Sequence, residues 1–362
     1  KEQMKLCQDS VPVWIMPLNR VIENFTPGES VFDAVIIDEA SQVDALGLIA
    51  LYLGKKVIVV GDDKQVTPVS VGIDIDTIEQ LQREYLTGIP NAASYNELLS
   101  VYDMASWTYE PIRLKEHFRC ASPIIQFSNR YYYGGDIKPM RDCSLVKRKP
   151  HTIAYKVEGE TEGTKRNLVE ARTIVALIKS CMEHEEYKDA TFGVISVLGE
   201  EQAVLIDEML RMSIDETKYM KHQILCGNPS HFQGDERDVI FISVVDSPRD
   251  SGGPLSLRTD GYNDIYAKRF NVAASRAKDQ LWVVYSLNPD TDLKPGDIRA
   301  KLILHAINPE SNEAILSERI NKAESEFEKL VIKALTLKGY NLTPQYPVGS
   351  FRIDIVVEYR GK

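Results

Sequence analysis

Cysteine is scarce in this sequence, and its five cysteines stand apart with no two in CxxC spacing. Scattered cysteines exclude a disulfide framework and a zinc site, so we expect reduced thiols in a cytoplasmic protein. Long apolar runs are also absent, since none approaches the roughly 20 residues that span a bilayer, and no membrane partner is expected. Basic residues do not exceed acidic ones, because 43 Lys and Arg face 53 Asp and Glu, for a net charge of −10. That balance excludes a surface coated in basic residues but still allows a polyanion to lie in a local groove.

The sequence does contain a repeated alternation of strand-like and helix-like segments. Residues 31–38 and 55–63 are apolar without a period of two, which predicts strands buried on both faces of a parallel sheet. The helical spacing between them completes a strand–helix–strand unit. A second α/β unit follows, with strands predicted at 191–198, 238–245 and 280–287 and helices at 167–182 and 200–212.

With 362 residues, the chain has room for two or three domains. The pattern predicts a first α/β unit at residues 1–112, a second at 113–290, a linker with Pro and Gly at 291–316, and a short further unit at 317–362. The last unit opens with an amphipathic helix over 317–338 and continues with a strand over 351–357.

Acidic and amide side chains follow the first two predicted strands. Asp38 and Glu39 come directly after the first strand, and Gly61, Asp62 and Gln65 follow the second. Phosphoryl transfer from a nucleotide needs a carboxylate for Mg²⁺ and a second group to orient the attacking water. Adjacent acids alone are typical of a solvated strand end, but the two signals at neighbouring strand ends favour a nucleotide site.

These motifs resemble those of the superfamily 1 helicases, in the branch that contains the RNA-surveillance and senataxin-like helicases. DEASQ and GDDKQVTP look like motifs II and III, LKEHFRC like motif IV, SHFQGDERDVIFIS like motif V, and RFNVAASRAKDQLWVV like motif VI. The five motifs stand in family order over residues 31–287, so the resemblance covers most of the chain. The segment before residue 31 is similar to the one that precedes motif II in large bacterial members.

The resemblance implies two RecA-like P-loop NTPase domains, the first one truncated, with ATP bound between them. Asp38 would then hold Mg²⁺, Glu39 would orient the water, and Gln65 would sense the terminal phosphate. Arg119 and Arg276 would neutralise charge on the transferring phosphoryl group. Nucleotide contact, or coupling of the cleft to the strand, would fall to Gln233, Gly234 and Glu236.

The activity that the resemblance implies is ATP-dependent translocation on single-stranded nucleic acid with duplex unwinding, and DNA is favoured over RNA. A rival hypothesis is a nucleotide-gated scaffold or loader of a repair or defence complex, which hydrolyses ATP without separating strands. In a third hypothesis a fused nuclease supplies the activity and the motor feeds it.

One family motif is missing from the sequence. The loop G-x-x-x-x-G-K-[ST], whose amides and lysine bind the phosphates, has no match in these 362 residues. We expect the loop to precede this segment in the full-length protein, so that the segment alone binds ATP weakly and hydrolyses it negligibly.

Residues 325–358 resemble the start of a very-short-patch-repair-like nuclease of the PD-(D/E)xK group, which implies the beginning of a restriction-endonuclease-like α/β domain. Glu328 stands at the position of the helix glutamate and Asp354 at that of a metal-binding aspartate. Asp354 would be one carboxylate of an incomplete Mg²⁺ site. The alternative is a strand with one exposed aspartate beside a solvated helix.

Overall fold

The computed structural model describes residues 10–26, 28, 32–67, 75–96, 98–163, 165–249, 251–258, 265–309, 319–337, 341–349 and 351–358. The chain divides into two compact units, residues 1–114 and 115–362. Within the described ranges, no helix is both long and apolar enough to cross a membrane.

The first unit contains two parallel strands joined by short helical turns. The strands pair in register, with Ala34 opposite Lys56 and Ile36 opposite Ile58. The predicted strand–helix–strand order is therefore confirmed, apart from residue 31, which lies outside the described residues. The elements of this unit are α1 (Leu18–Asn24), β1 (Phe32–Ile37), α2 (Leu48–Leu51), β2 (Gly54–Val59), α3 (Ile75–Tyr85) and α4 (Val101–Ser106).

The prediction that β1 and β2 are buried on both faces is wrong for the described part of this unit. Ile37 is buried, whereas Ile36 is 64% exposed and Ile58 is 52% exposed. Neighbouring residues of a strand point to opposite faces of the sheet. The apolar cluster that includes Ile37, Ala50 and Val101 covers one face, whereas Ile36 lies on the opposite face.

The second unit is built around a five-stranded, wholly parallel sheet. In spatial order, its strands are β5 (Thr152–Lys156), β9 (Ala277–Tyr285), β8 (Arg237–Ser243), β6 (Phe192–Ser196) and β7 (Leu225–Gly227). The parallel α/β fold predicted for this region is thus confirmed. The elements up to the last sheet strand are β3 (Glu116–His117), α5 (Ser122–Tyr132), β4 (Lys138–Pro139), β5 (Thr152–Lys156), α6 (Leu168–Glu183), β6 (Phe192–Ser196), α7 (Glu201–Ser213), α8 (Glu216–Lys221), β7 (Leu225–Gly227), β8 (Arg237–Ser243), α9 (Ile265–Ala274) and β9 (Ala277–Tyr285).

Helices cover both faces of this sheet, as the long apolar strands require. One buried cluster joins the sheet to α5 and α9 and includes Ile124, Phe270 and Leu281. The other joins it to α6 and α7 and includes Ile174 and Ile206. Every residue of β6 is buried, so the prediction of strands buried on both faces is confirmed in this unit.

The predicted linker at 291–316 is wrong in its middle part, because residues Ile298–Ile307 form a helix, α10. Ile298, Leu302 and Ile303 are fully buried in the same core as α5 and α9. Asp297 starts the helix, since its side chain accepts a hydrogen bond from the backbone N of Arg299. The spacing of these apolar residues is helical, but the preceding Pro and Gly residues obscured it. Residues 310–316 lie outside the described ranges.

The last described elements are a helix, α11 (Glu326–Leu337), and an antiparallel hairpin of β10 (Asn341–Val348) and β11 (Phe351–Glu358). The helix is shorter than the prediction over 317–338, of which residues 317, 318 and 338 lie outside the described ranges. The strand predicted at 351–357 is present as β11. Its partner β10 was not predicted, because Pro344 and Pro347 interrupt a strand pattern.

Candidate functional site

The two strand ends of the first unit meet through backbone and side-chain hydrogen bonds. The backbone N of Ala40 donates to the carbonyl of Val60 at 2.8 Å, which extends the β1–β2 ladder past both strands. The hydroxyl of Ser41 then accepts from the backbone N of Asp62 at 2.6 Å. The segment after β1 and the segment after β2 are therefore fixed against each other at the carboxyl edge of the sheet.

Asp38 and Glu39 lie at this edge in a tight turn. Glu39 has a φ of +50°, a left-handed conformation that is uncommon for a residue other than glycine and that clusters at functional sites. Its carboxylate accepts from Nε2 of Gln42 at 3.0 Å. Asp38 is exposed, and its Oδ1 accepts from the backbone N of Glu39 at 2.9 Å. The turn thus presents one exposed and one half-buried carboxylate side by side.

Gln65 is held in the facing turn by Asp62. Its Nε2 donates to Asp62 Oδ2 at 2.8 Å, and the backbone N of Lys64 donates to the other oxygen at 2.9 Å. Asp62 therefore organises the turn after β2, and Gln65 lies in that turn. Asp38 and Glu39 follow the end of β1, the strand that pairs with β2.

Gly61 allows the two turns to approach. A Cβ at this position would lie 2.7 Å from Ser41 Oγ and 2.8 Å from Cδ2 of Tyr102, closer than side chains pack. Tyr102 comes from α4, which Ser100 and Asp103 start with a reciprocal capping box. Burial and the nearby Asp63 and Asp62 raise the pKa of Tyr102. The roles of Ser41, Gly61 and Tyr102 depend on contacts distant in sequence, so motif spacing alone did not identify them.

The carboxyl edge of the first unit fits a magnesium ion that is shared with a nucleotide. Within the described residues no three His, Cys, Asp or Glu side chains are grouped as a metal cage. Mg²⁺ bound with a nucleotide needs only one or two carboxylates, since phosphate oxygens and water complete its shell. An exposed carboxylate such as Asp38 meets that requirement.

In the second unit, a charged cluster lies where β8 and β9 begin. Nε of Arg119 donates to Glu236 Oε2 at 2.7 Å, and Nζ of Lys278 lies 3.7 Å from Glu236 Oε1 and 3.2 Å from Asp238 Oδ1. The backbone N of Arg237 donates to the carbonyl of Arg276 at 3.1 Å. Motifs IV, V and VI therefore converge at the amino edge of this sheet.

The two arginines differ in accessibility. The side chain of Arg119 is 32% exposed, whereas Arg276 is 2% exposed and lies within its own unit. An accessible guanidinium is ready to contact an anion, while an enclosed one must first turn outward. Gln233 is half-buried, and the exposed Gly234 has a φ of +75° that turns the chain toward Glu236.

His117 and Cys120 shape the turn that carries Arg119. The backbone N of Cys120 donates to Nε2 of His117 at 2.9 Å, and Sγ of Cys120 donates to the carbonyl of Ser275 at 3.3 Å. Burial and, secondarily, Arg119 lower the pKa of His117 to about 4, so its Nε2 remains an acceptor at neutral pH. His117 therefore has a structural contact in this turn.

Comparison with known proteins places this arrangement in a family. Two families, each described as an AAA domain, match the chain, one over residues 96–288 and the other over residues 19–71. The first match covers more than half of the chain. The chain belongs to this AAA-domain family, within the superfamily 1 helicases.

Several curated proteins are similar over most of this chain. The uncharacterized ATP-dependent helicase MG140 homolog of Mycoplasma pneumoniae is 30% identical over 295 residues, which cover 78% of this chain and 25% of that protein. Helicase SEN1 of Saccharomyces cerevisiae is 26% identical, covering 70% of this chain and 11% of that protein. The 5'-3' DNA helicase ZGRF1 of Mus musculus is 26% identical, covering 71% of this chain and 13% of that protein.

This chain therefore spans at most about a quarter of the length of these relatives. Among solved structures, the arterivirus nonstructural protein 10 helicase in complex with DNA has a TM-score of 0.31 and 12% identity. That likeness covers 70% of this chain and 39% of the viral one, and at this score it carries no argument about the site.

Proposed function

We propose that this chain is part of an ATP-dependent helicase that couples ATP hydrolysis to movement on single-stranded nucleic acid and to duplex unwinding. The observation that carries the proposal is the 2.6 Å bond between Ser41 and Asp62, which joins the turn of Asp38 and Glu39 to that of Gln65. ATP hydrolysis needs carboxylates and a phosphate-sensing amide close together. The names of the relatives, which are ATP-dependent and DNA helicases, support the same activity.

In this proposal the first unit provides the groups that surround the terminal phosphate. Asp38 would hold a Mg²⁺ ion, which would neutralise phosphate charge when bound. Glu39, fixed in its left-handed turn, orients the attacking water. Gln65 contacts the phosphate, and Asp62 keeps its amide in place. We propose this hydrolysis for the full-length protein rather than for these 362 residues alone.

The second unit provides cationic groups for the charge that develops on the phosphoryl group. Arg119 is the primary finger, because its side chain is accessible and, among the described residues, its guanidinium bonds only to Glu236, through Nε. Arg276 acts after its side chain turns outward from its enclosed position. Gln233, Gly234 and Glu236 contact the nucleotide or couple its cleft to the strand.

The test is ATP hydrolysis by the full-length protein with and without single-stranded DNA, and separately with single-stranded RNA. We expect strand-stimulated hydrolysis that falls at least about a hundredfold in Glu39→Gln, the order of effect seen when a positioned acid–base group is removed. Glu84→Gln, an exposed position on α3, is the matched control and should leave the rate unchanged. Hydrolysis that is indifferent to Glu39 and to both strands would contradict the proposal. Greater stimulation by RNA would overturn only the preference for DNA.

We also propose that residues 317–362 begin a nuclease domain. Nε2 of Gln345 donates to Glu328 Oε2 at 3.2 Å, so the helix glutamate of the nuclease-like pattern contacts β10. The hairpin pairs Pro344 with Ile355 and Tyr346 with Ile353, and this register puts Asp354 across from Gln345. Both observations support a site that includes Glu328 and Asp354.

Metal-dependent cleavage of DNA by the full-length protein tests the nuclease proposal. Asp354→Asn should abolish cleavage and retain strand-stimulated ATP hydrolysis. Glu39→Gln should abolish ATP hydrolysis and retain the cleavage that is measured without ATP. No cleavage by the unaltered protein with Mg²⁺ or Mn²⁺ would overturn it.

A further inference from the structure

Arg141 lies outside every motif that the sequence identifies, in the segment between β4 and β5. Its Nη1 donates to the backbone carbonyl of Arg119 at 2.9 Å and to that of Lys278 at 2.5 Å. Arg119 belongs to motif IV, and Lys278 belongs to motif VI next to Arg276. One nitrogen of one side chain therefore bridges the two segments that carry the proposed arginine fingers.

The bridge is anchored on a buried carboxylate. Nη2 of Arg141 donates to Oδ1 of Asp279, which is 1% exposed, and the second oxygen of Asp279 accepts from Nε of Arg148 at 2.9 Å. Removing either partner of a buried ion pair is costly, because it leaves an uncompensated charge. The planar fork of arginine also fixes the direction of its donors, which the point charge of lysine does not. Asp279 thus holds the Arg141 guanidinium in one orientation.

A second contact fixes the same two segments and shows that their spacing is closely set. The backbone N of Ala121 donates to the carbonyl of Lys278 at 2.8 Å, so this carbonyl accepts from both Ala121 and Arg141. With the thiol of Cys120 bonded to Ser275, the turn after Arg119 is attached to motif VI along its length.

We propose that Arg141 is a positioning residue for ATP hydrolysis, which sets the place of Arg119 relative to the segment of Arg276 and Lys278. The inference rests on the proposed function. A displacement of about 1 Å in a group that contacts the transition state can lower a rate about a hundredfold. Loss of the bridge should therefore lower kcat while ATP affinity is largely kept.

The experiment compares Arg141→Lys with Arg148→Lys in the full-length protein. Both variants alter a cation that pairs with the Asp279 side chain in motif VI. Among the described residues, however, Arg148 bonds to motif VI only through that side chain, and its Nη1 donates to the carbonyl of Glu186 rather than to the backbone of either segment that carries an arginine finger. We expect kcat of strand-stimulated ATP hydrolysis to fall at least tenfold in Arg141→Lys, with KM for ATP within about twofold of the unaltered protein. Arg148→Lys should retain most of kcat. Equal losses in the two variants would show a merely structural role for the Asp279 cluster and overturn the proposal.

A double variant separates positioning from general damage. If Arg141 acts through Arg119, then Arg141→Lys should lower kcat little further in a protein that already carries Arg119→Ala. If the kcat losses of the two single variants instead multiply in the double variant, the proposal is contradicted, because residues that act through one another have non-additive effects. If the proposed role of Arg119 in hydrolysis is itself wrong, Arg119→Ala alone should leave kcat unchanged. That result distinguishes a failure of the proposed function from a failure of the inference about Arg141. A normal kcat in Arg141→Lys together with a reduced kcat in Arg119→Ala would overturn only the positioning role proposed for Arg141.

Discussion

At the scale of single residues, the proposed hydrolytic site depends on a serine that the reaction itself does not use. Ser41 is 2% exposed and accepts from the backbone N of Asp62, so it connects the turn that we propose to bind Mg²⁺ to the turn that we propose to sense the phosphate. A buried amide that loses its acceptor costs about 1–3 kcal/mol, because it has left water without a new partner.

Ser41→Ala should therefore lower the free energy of unfolding of the first unit by about 1–3 kcal/mol and reduce kcat for ATP. Ser106→Ala is the control, since its exposed hydroxyl donates to the carbonyl of Asp103 at the end of α4 and lies outside the site. Urea denaturation and steady-state hydrolysis measure the two effects. An unchanged kcat in Ser41→Ala would show that the contact between the turns is not needed.

A second residue-scale feature is a carboxylate enclosed in the second unit. Glu170 is fully buried and accepts from Ser243 Oγ at 2.6 Å, from the backbone N of Val245 at 2.9 Å and from Ser286 Oγ at 3.0 Å. Burial outweighs these hydrogen bonds and raises the pKa of Glu170 to about 7 from its ordinary value of 4.5.

This pKa has a consequence for stability. The folded chain binds a proton at Glu170 more tightly than the unfolded chain does, so its contribution is present below pH about 4.5 and is lost as the pH rises through about 7. The difference in unfolding free energy between the unaltered protein and Glu170→Gln should fall by a few kcal/mol across this window, at about 1.4 kcal/mol per pKa unit. Glu183→Gln, on the exposed end of the same helix, is the control for the loss of a carboxylate. A difference that stays constant between pH 4.5 and 7 would contradict the raised pKa.

At the scale of elements, α10 extends the core of the second unit beyond its last sheet strand. Ile303 is fully buried, whereas the adjacent Leu304 is 49% exposed. Ile303→Ala should destabilise the unit by about 2–5 kcal/mol, the cost of a cavity in a packed core. Leu304→Ala should cost much less. Equal and small losses on urea denaturation would mean that α10 is not part of the core.

The elements also show which parts of the fold the sequence could predict. Strands β6, β8 and β9 are continuous apolar runs inside a complete sheet, and their burial followed from that pattern. The runs of β1 and β2 look the same, yet Ile36 and Ile58 are exposed, because burial depends on neighbours that no local pattern encodes. Helix α10 was hidden behind a Pro- and Gly-containing segment, and β10 was hidden by its own prolines.

The features of the candidate site also include some that the sequence could predict and some that it could not. The placement of Asp38, Glu39 and Gln65 at neighbouring strand ends was predictable, because acidic and amide residues directly follow two adjacent strands, and their catalytic roles stay predictions. Their connection through Ser41, and the bridge of Arg141, were not predictable, because each joins residues far apart in the sequence. The enclosure of Arg276 also depends on packing rather than on its motif.

At the scale of the whole molecule, this chain contains two compact units and is similar to helicases that are longer than it is. Its relatives extend to at least about four times the matched length, since it covers 25% or less of those compared here. We propose that these units drive strand separation with ATP in the full-length protein, rather than forming a scaffold that hydrolyses ATP without moving strands.

The most direct test is displacement of one strand from a forked DNA duplex by the full-length protein. We expect separation that requires ATP and Mg²⁺ and that is lost in Glu39→Gln, while Glu84→Gln behaves as the unaltered protein. ATP hydrolysis stimulated by single strands, but without any strand separation on forked or tailed duplexes of DNA or RNA, would contradict the claim and favour the nucleotide-gated scaffold.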